Sequence, residues 1–192
     1  GLGNLNIGHL VIDEAHCVSE WGESFRPSYL ELGKIIQASK APLVTAFTAT
    51  ASAPVLEKIE SYIFGQKNIH RIIGNPDRPN IRYYALGAMD KDIAVLDLLN
   101  RFPLPAIIFC SSRNGCKHLA HFLRAQIIQG KRRPDVRFYH AGLEREEKTE
   151  VNSWYLNSDS GILIATCAWG MGVDKSNIRT VIHRDCSPSI EA

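Results

Sequence analysis

Two adjacent carboxylates, Asp13 and Glu14, follow the apolar run Leu10-Val11-Ile12, and His16 comes two positions later. An apolar run of this kind predicts a strand buried on both faces of a parallel sheet. In open α/β sheets ligands gather at the carboxyl ends of the strands, which is where this pair stands. At such an end a first acid can hold Mg2+, usually through water, and a second can orient and deprotonate an attacking water. Solvated strand ends carry acidic pairs as well, so the pair alone leaves both readings open. A protease-type zinc site needs two histidines around a Glu on one helix face. Only His16 is present.

Directly downstream, the run from Cys17 to Tyr29 holds Trp21, Phe25 and Arg26. Aromatics with Arg beside a sheet edge make either a buried plug or a surface on which single-stranded bases stack. A second apolar run, Leu43 to Phe47, ends at Thr48-Ala49-Thr50. Hydroxyls there can bridge a nucleotide-side acid to a neighbouring element, or cap the next helix, with Ser52 as the other cap and Pro54 in its first turn. Further on, Ile107 to Cys110 hands over to Ser111-Ser112-Arg113, and Phe138-Tyr139 to His140-Ala141-Gly142-Leu143. Ile162 to Ala165 leads into Thr166, then Gly170-Met171-Gly172-Val173-Asp174-Lys175. Closely spaced glycines let backbone approach a phosphate or ribose, and a nearby acid can accept from sugar hydroxyls.

Taken together, Asp13-Glu14-Ala15-His16 with its aromatic loop resembles the RecQ family of superfamily two DNA helicases. The resemblance extends through Thr48-Ala49-Thr50, the Asp77-Arg78-Pro79-Asn80 segment and the run from Thr166 to Lys175, so it covers essentially the whole chain. It implies two RecA-like lobes that use ATP and Mg2+ to move 3′-to-5′ on single-stranded and partly duplex DNA in repair and recombination. It assigns Mg2+ positioning to Asp13, the general base to Glu14, and a relay between phosphate and the facing lobe to His16. Coupling goes to Thr48, Thr50, Trp21, Phe25 and Arg26, the last three also touching DNA. The DNA backbone is assigned to Ser111, Arg113, His140, Gly142 and Thr166, and the ATP side to Gly170, Gly172 and Asp174. The chain departs from the family at Glu23-Ser24, where His-Asp is usual, at Trp169, where Phe is usual, and at Cys186, where an apolar residue is typical.

The elements that must position these groups alternate along the chain. Leu30, Leu32, Ile35 and Ile36 mark a helix, as do Val55, Leu56, Ile59, Tyr62 and Ile63. So do Ile93, Leu96 and Leu99, and the register Cys116, Leu119, Ala120, Leu123 and Ile127. Another helix is expected from Glu144 to Leu156, and short strands over Val136–Tyr139 and Thr180–His183. Strand–helix alternation predicts an α/β fold with parallel, right-handed connections. Every strong apolar run hands over to a polar group at its carboxyl end: Asp13-Glu14, Thr48, Ser111 to Arg113, His140, Thr166 and His183. Gly74 to Asn80, with two prolines and a glycine, is the best boundary. The expected domains are residues 1–73, the C-terminal part of a first lobe truncated at its N-terminal side; a linker at 74–82; and residues 83–192, a second lobe ending before the family's arginine motif. The basic turn Gly130 to Pro134 is expected to be solvated.

A net charge of +2 makes no global electrostatic case for nucleic acid, so any such case is local. Five scattered cysteines without a C-x-x-C pair disfavour both zinc and a disulfide framework and fit a reducing, intracellular setting. No apolar run approaches the roughly 18 residues of a membrane span. No G-x-x-x-x-G-K-[ST] run occurs in these residues. Without that loop the triphosphate has no cradle, and without the arginine a loss of roughly 10³–10⁵ in rate is expected, so the chain alone should not hydrolyse ATP measurably. The first residues should also form an incomplete, marginally stable sheet with an exposed edge. Two rivals stand beside the DNA helicase. One is a superfamily two RNA helicase with an overlapping Asp-Glu-Ala-His run, and the other a non-catalytic nucleic-acid-binding protein lacking a phosphate loop.

Overall fold

The computed structural model describes residues 6–20, 31–49, 52–65, 69–75, 77–127, 134–170 and 173–186, with the side chains of 19 and 20 excepted. The chain divides into two compact units between Ile81 and Arg82.

In the first unit, β1 (His9–Ile12) pairs in parallel with β2 (Leu43–Ala46), Leu10 lying opposite Val44 and Ile12 opposite Ala46. A short helix α1 (Cys17–Glu20) follows β1, and α2 (Leu32–Ser39) precedes β2. Helix α3 (Ala53–Ile59) runs on into a π-helical segment, Glu60–Phe64, closed by Gly65. Ile12, Ala15, Val18, Val55, Ile59 and Ile63 form the core. The two strands are not buried on both faces, as their composition led one to expect. Val11, Leu43 and Phe47 are all more than half exposed, because among the described residues only one face of this two-stranded sheet carries helices. Tyr62 also leaves its expected core position, at 45% exposure. The wider π turn carries the apolar stripe straight from Ile59 to Ile63 and rotates Tyr62 outward.

The second unit is a parallel four-stranded sheet in the order β4-β5-β3-β6, built from β3 (Ala106–Phe109), β4 (Val136–Tyr139), β5 (Ile162–Ala165) and β6 (Thr180–His183). Its helices are α4 (Lys91–Arg101), α5 (Arg113–Ile127) and α6 (Arg145–Asn157). Side chains alternate across a strand, so β3 and β5 each feed two cores. Ile108, Ile162 and Ile164 pack with Val95, Leu119 and Leu123 from α4 and α5. Ile107 and Leu163 point the other way and meet Tyr155 of α6 and Trp169. Both faces are covered, which is why the central strands are apolar without alternation.

Helix α4 forms where Ile93, Leu96 and Leu99 mark it, with Ile93 turned outward. Ile93 is 58% exposed while Val95 and the charged Asp92 are buried. An ion pair sets this face: Arg184 Nε donates to Asp92 Oδ1 at 2.6 Å, so Asp92 turns inward and Ile93 outward. The helix starts where Asp90 accepts from the amides of Asp92 and Ile93. Helix α6 starts with a capping box, Glu144 and Glu147 each satisfying the other's backbone amide.

Candidate functional site

Three backbone hydrogen bonds carry the ladder of the second sheet past its regular strands: Cys110 N–H to Ala165, Thr166 N–H to Tyr139 and Arg184 N–H to Phe109. Because all four strands run the same way, Ser111, His140, Thr166 and His183 emerge along one rim. In the first sheet Asp13-Glu14 and Thr48 share a rim for the same reason. Ala15 N–H donates to Phe47 O at 2.9 Å and Phe47 N–H to Ile12 O at 2.8 Å, which brings the two strand ends together.

At that first rim, Asp13 Oδ1 accepts the Glu14 amide at 2.8 Å. This local bond accompanies a φ of 48° at Glu14, a left-handed conformation that side chains rarely adopt and that costs about 1–3 kcal/mol. Ala15, fully buried in the core, pins the turn from below. His16 Nδ1 lies 3.0 Å from Thr48 Oγ1 and 3.3 Å from Glu14 Oε2. One ring nitrogen thus sits within reach of both the acid after β1 and the hydroxyl after β2, and the ring tautomer sets which way the protons point. Asp13 and Glu14 are exposed. The second carboxylate oxygen of Asp13 takes no part in that turn bond and is a hard donor of the kind Mg2+ takes when it is held by one or two carboxylates and by substrate phosphates. No group of three or more ligating side chains occurs among the described residues.

At the second rim, Arg113 opens α5 and its guanidinium packs on Gly142. A methyl at Gly142 would lie 2.8 Å from Arg113 Nη1, so a side chain there would displace the guanidinium from this contact. Gly142 and Arg113 are exposed, whereas His140 is 3% exposed with both ring nitrogens unpartnered among the described residues. Its ring stacks on Phe138 at 5.6 Å. Burial, then the positive charges of Lys117 and Arg113, hold its proton affinity below that of an ordinary histidine. The imidazole is therefore a neutral group beneath a cationic surface and does not itself face solvent. Lys148 Nζ donates to Ala141 O at 2.7 Å and holds this turn to α6.

Ser111 is committed within the protein: its amide and its hydroxyl both donate to Asp185 Oδ2, at 3.0 and 3.2 Å. Lys91 Nζ reaches Asp185 Oδ1 at 2.9 Å, and Arg184 bridges Asp185 to Asp92, which His118 also approaches at 3.2 Å. Burial would push the Asp185 carboxyl up, but the Ser111 amide, Lys91, the Ser111 hydroxyl and Arg184 outweigh it and hold the group at about 2. Sequence reasoning missed Asp185 and Arg184. The available signal was an acid two residues past the carboxyl end of β6, much as Asp13 directly follows β1.

Thr166 and Asp174 bracket the loop that carries Gly170, whose φ of 131° favours glycine. Thr166 is half-buried and Asp174 exposed. Trp21, Phe25, Arg26, Thr50 and Gly172 lie outside the described residues, as does the basic stretch 130–133. Ser52 occupies the N-cap position of α3 but makes no capping side-chain bond.

The description of the helicase conserved C-terminal domain matches residues 90–192. The ATP-dependent DNA helicase RecQ of Haemophilus influenzae is 36% identical over 188 residues, which is 95% of this chain and 29% of the relative. That of Pasteurella multocida is 34% identical over 196 residues, covering 100% and 29%. The ATP-dependent DNA helicase Q5 of Rattus norvegicus is 33% identical over 202 residues, covering 96% and 20%. The chain thus spans less than a third of the length of these relatives. Among solved structures, S. cerevisiae Dbp5 bound to RNA and ADP BeF3 superposes with a TM-score of 0.71 at 18% identity, over 96% of this chain and 46% of that one. Mycobacterium smegmatis helicase Lhr, bound to ssDNA and AMP-PNP, gives 0.61 at 19%, over 91% and 24%. At such identities the likeness concerns the fold.

Proposed function

Because this chain belongs to the RecQ-type helicases that carry the conserved C-terminal domain, we propose that it serves an ATP-dependent, 3′-to-5′ DNA helicase acting in repair and recombination. The observation that carries the proposal is the acidic turn after β1. Glu14 is held at φ 48° beside Asp13, with His16 between Glu14 and Thr48. Backbone strain of this kind persists where it is part of a mechanism. Asp13 would hold Mg2+ through water, and the ion would supply charge neutralisation at the phosphates. Glu14 takes the proton from the attacking water, and its exposure leaves it open to one. His16 passes the state of that acid to Thr48 through a shared ring nitrogen.

On the second rim, Arg113 and Gly142 present a cationic, close-approach surface that suits a DNA phosphate, with the backbone of the Thr166 loop beside it. Ser111 contributes through its lone pairs and its placement of Arg113, since its hydroxyl proton is spent on Asp185. His140 acts from below as a neutral support to this surface. Asp174 and Gly170 lie on the nucleotide side, and Trp21, Phe25 and Arg26 sense the single strand. ATP and Mg2+ are the cofactors, and single-stranded and partly duplex DNA the partner.

The test is ATP hydrolysis by the full-length gene product with single-stranded DNA, with RNA and with neither, alongside Glu14→Gln. Stimulation by DNA that the substitution abolishes supports the proposal. Stimulation by RNA alone would transfer the motor to the RNA class, and no hydrolysis under any condition would leave a nucleic-acid-binding protein.

A further inference from the structure

Helix α6 touches both functional segments of the second unit. Near its start, Lys148 Nζ holds Ala141 O at 2.7 Å and so fastens the turn that carries His140 and Gly142. One turn on, Asn152 Oδ1 accepts from Trp169 Nε1 at 3.2 Å. At its end, Lys175 Nζ donates to Leu156 O at 3.3 Å and Ser158 O at 2.8 Å, satisfying carbonyls that a helix terminus leaves free. The fully buried Tyr155 lies between the two anchors. Trp169 meets its ring edge-on at 5.4 Å, and Lys175 Nζ stands 5.0 Å from its centre. Trp169 and Lys175, on either side of Gly170, are therefore both tied to the C-terminal half of α6. A phenylalanine at 169 could pack on Tyr155 but could not donate to Asn152. The indole N–H makes the first anchor specific.

We propose that Asn152 and Trp169 are positioning residues, which tie the Thr166–Gly170 segment to α6 so that this segment and the His140–Gly142 turn move as one body. The inference rests on the helicase reading, in which that turn faces DNA and that segment faces both DNA and ATP. An open groove of about 350 Å3, lined among others by Tyr139, Lys148, Asn152 and Trp169, lies along one side of the anchor, where the hydrogen bond to Asn152 adds to the packing of the indole on Tyr155.

The experiment uses the full-length protein with Trp169→Phe, Asn152→Ala and the double variant. Two readouts are taken: amide hydrogen exchange in the peptide spanning that segment, and DNA-stimulated ATP turnover with kcat and the KM for DNA measured separately. A net hydrogen bond of ordinary strength corresponds to roughly a two- to tenfold change in an equilibrium. Exchange in the segment is expected to accelerate by about that factor in each single variant. The double variant should be no faster than either, because both remove the same bond. Stimulated kcat should fall by a similar factor while the KM for DNA and the DNA-free rate hold steady, a split that loss of general stability would not produce. Unchanged exchange in Trp169→Phe, or additive effects in the double variant, would overturn the tether. Altered exchange with unchanged stimulated kcat would overturn its coupling role. Wild-type protein without any stimulation by DNA would instead overturn the helicase reading, and with it the coupling role, while the exchange rates still decide the tether.

Discussion

Replacing Asp185 by Asn removes the charge on which four donors converge, and the cost can be worked from the geometry. The carboxyl titrates at about 2 in the folded protein against an ordinary 3.8, and its side chain is 17% exposed, so solvent screening is modest. One unit of difference corresponds to about 1.4 kcal/mol, which makes the charge worth roughly 2 kcal/mol at neutral pH. The sign follows from the direction of the shift. A depressed carboxyl stabilises the fold above its unfolded value and loses that contribution as pH falls through the folded one. Wild type should therefore exceed Asp185→Asn by about 2 kcal/mol at pH 7, and the gap should shrink to roughly half near pH 3 and nearly vanish by pH 2. Urea titrations of both proteins at a series of pH values, followed by a probe in the second unit, read this directly. A gap that stays constant from pH 7 to pH 2 would refute the reasoning. The stabilisation would then come from the hydrogen-bonding shape of the side chain, which Asn partly keeps, and not from its charge.

Other consequences follow from the buried polar groups. His140 is held neutral with both nitrogens unpartnered among the described residues, so its contribution is present above the ordinary histidine value of 6.5 and lost as pH falls below it. His140→Phe, stacked on Phe138, should keep or raise stability at pH 7 and flatten the decline below about pH 6.5, as thermal unfolding at a series of pH values would reveal. An unaltered decline would assign the pH dependence to another group. The buried Tyr155 hydroxyl also lacks a partner among the described residues, and burial pushes it up from its ordinary value. Tyr155→Phe should leave stability unchanged or raise it by up to about 1 kcal/mol in the same assay, since it removes an unsatisfied polar atom and keeps the ring contacts. A loss of more than about 1 kcal/mol would mean that the hydroxyl is paired.

The acids and hydroxyls at the strand ends were legible in the sequence because the signal is local. An apolar run short enough to be a strand ends where the polar residue begins, and parallel pairing sends all such ends to one rim. The parallel α/β architecture follows from the same alternation, and the family from runs that are contiguous in the chain. Burial was less legible. Val11 and Leu43 have the composition of doubly covered strands, yet only tertiary structure decides whether a second layer is present, and here Val11 and Leu43 remain open. The outward turn of Ile93 and Tyr62 was not legible, because helical spacing does not register a partner 92 residues away, as Arg184 is from Asp92, or the extra residue of a π turn.

The site divides in the same way. The sequence by itself determined which residue types stand after each strand, and hence Asp13, Glu14, Thr48, Arg113, His140 and Thr166 as candidates. Only the tertiary structure decided their states: that Glu14 is strained, that His16 lies between Glu14 and Thr48, that His140 is buried and neutral, and that the Ser111 hydroxyl is spent on Asp185. Those states depend on charges and cavities contributed by residues far apart in the chain. Coulomb interaction, desolvation and hydrogen bonding act through space, and spacing along the sequence does not encode them.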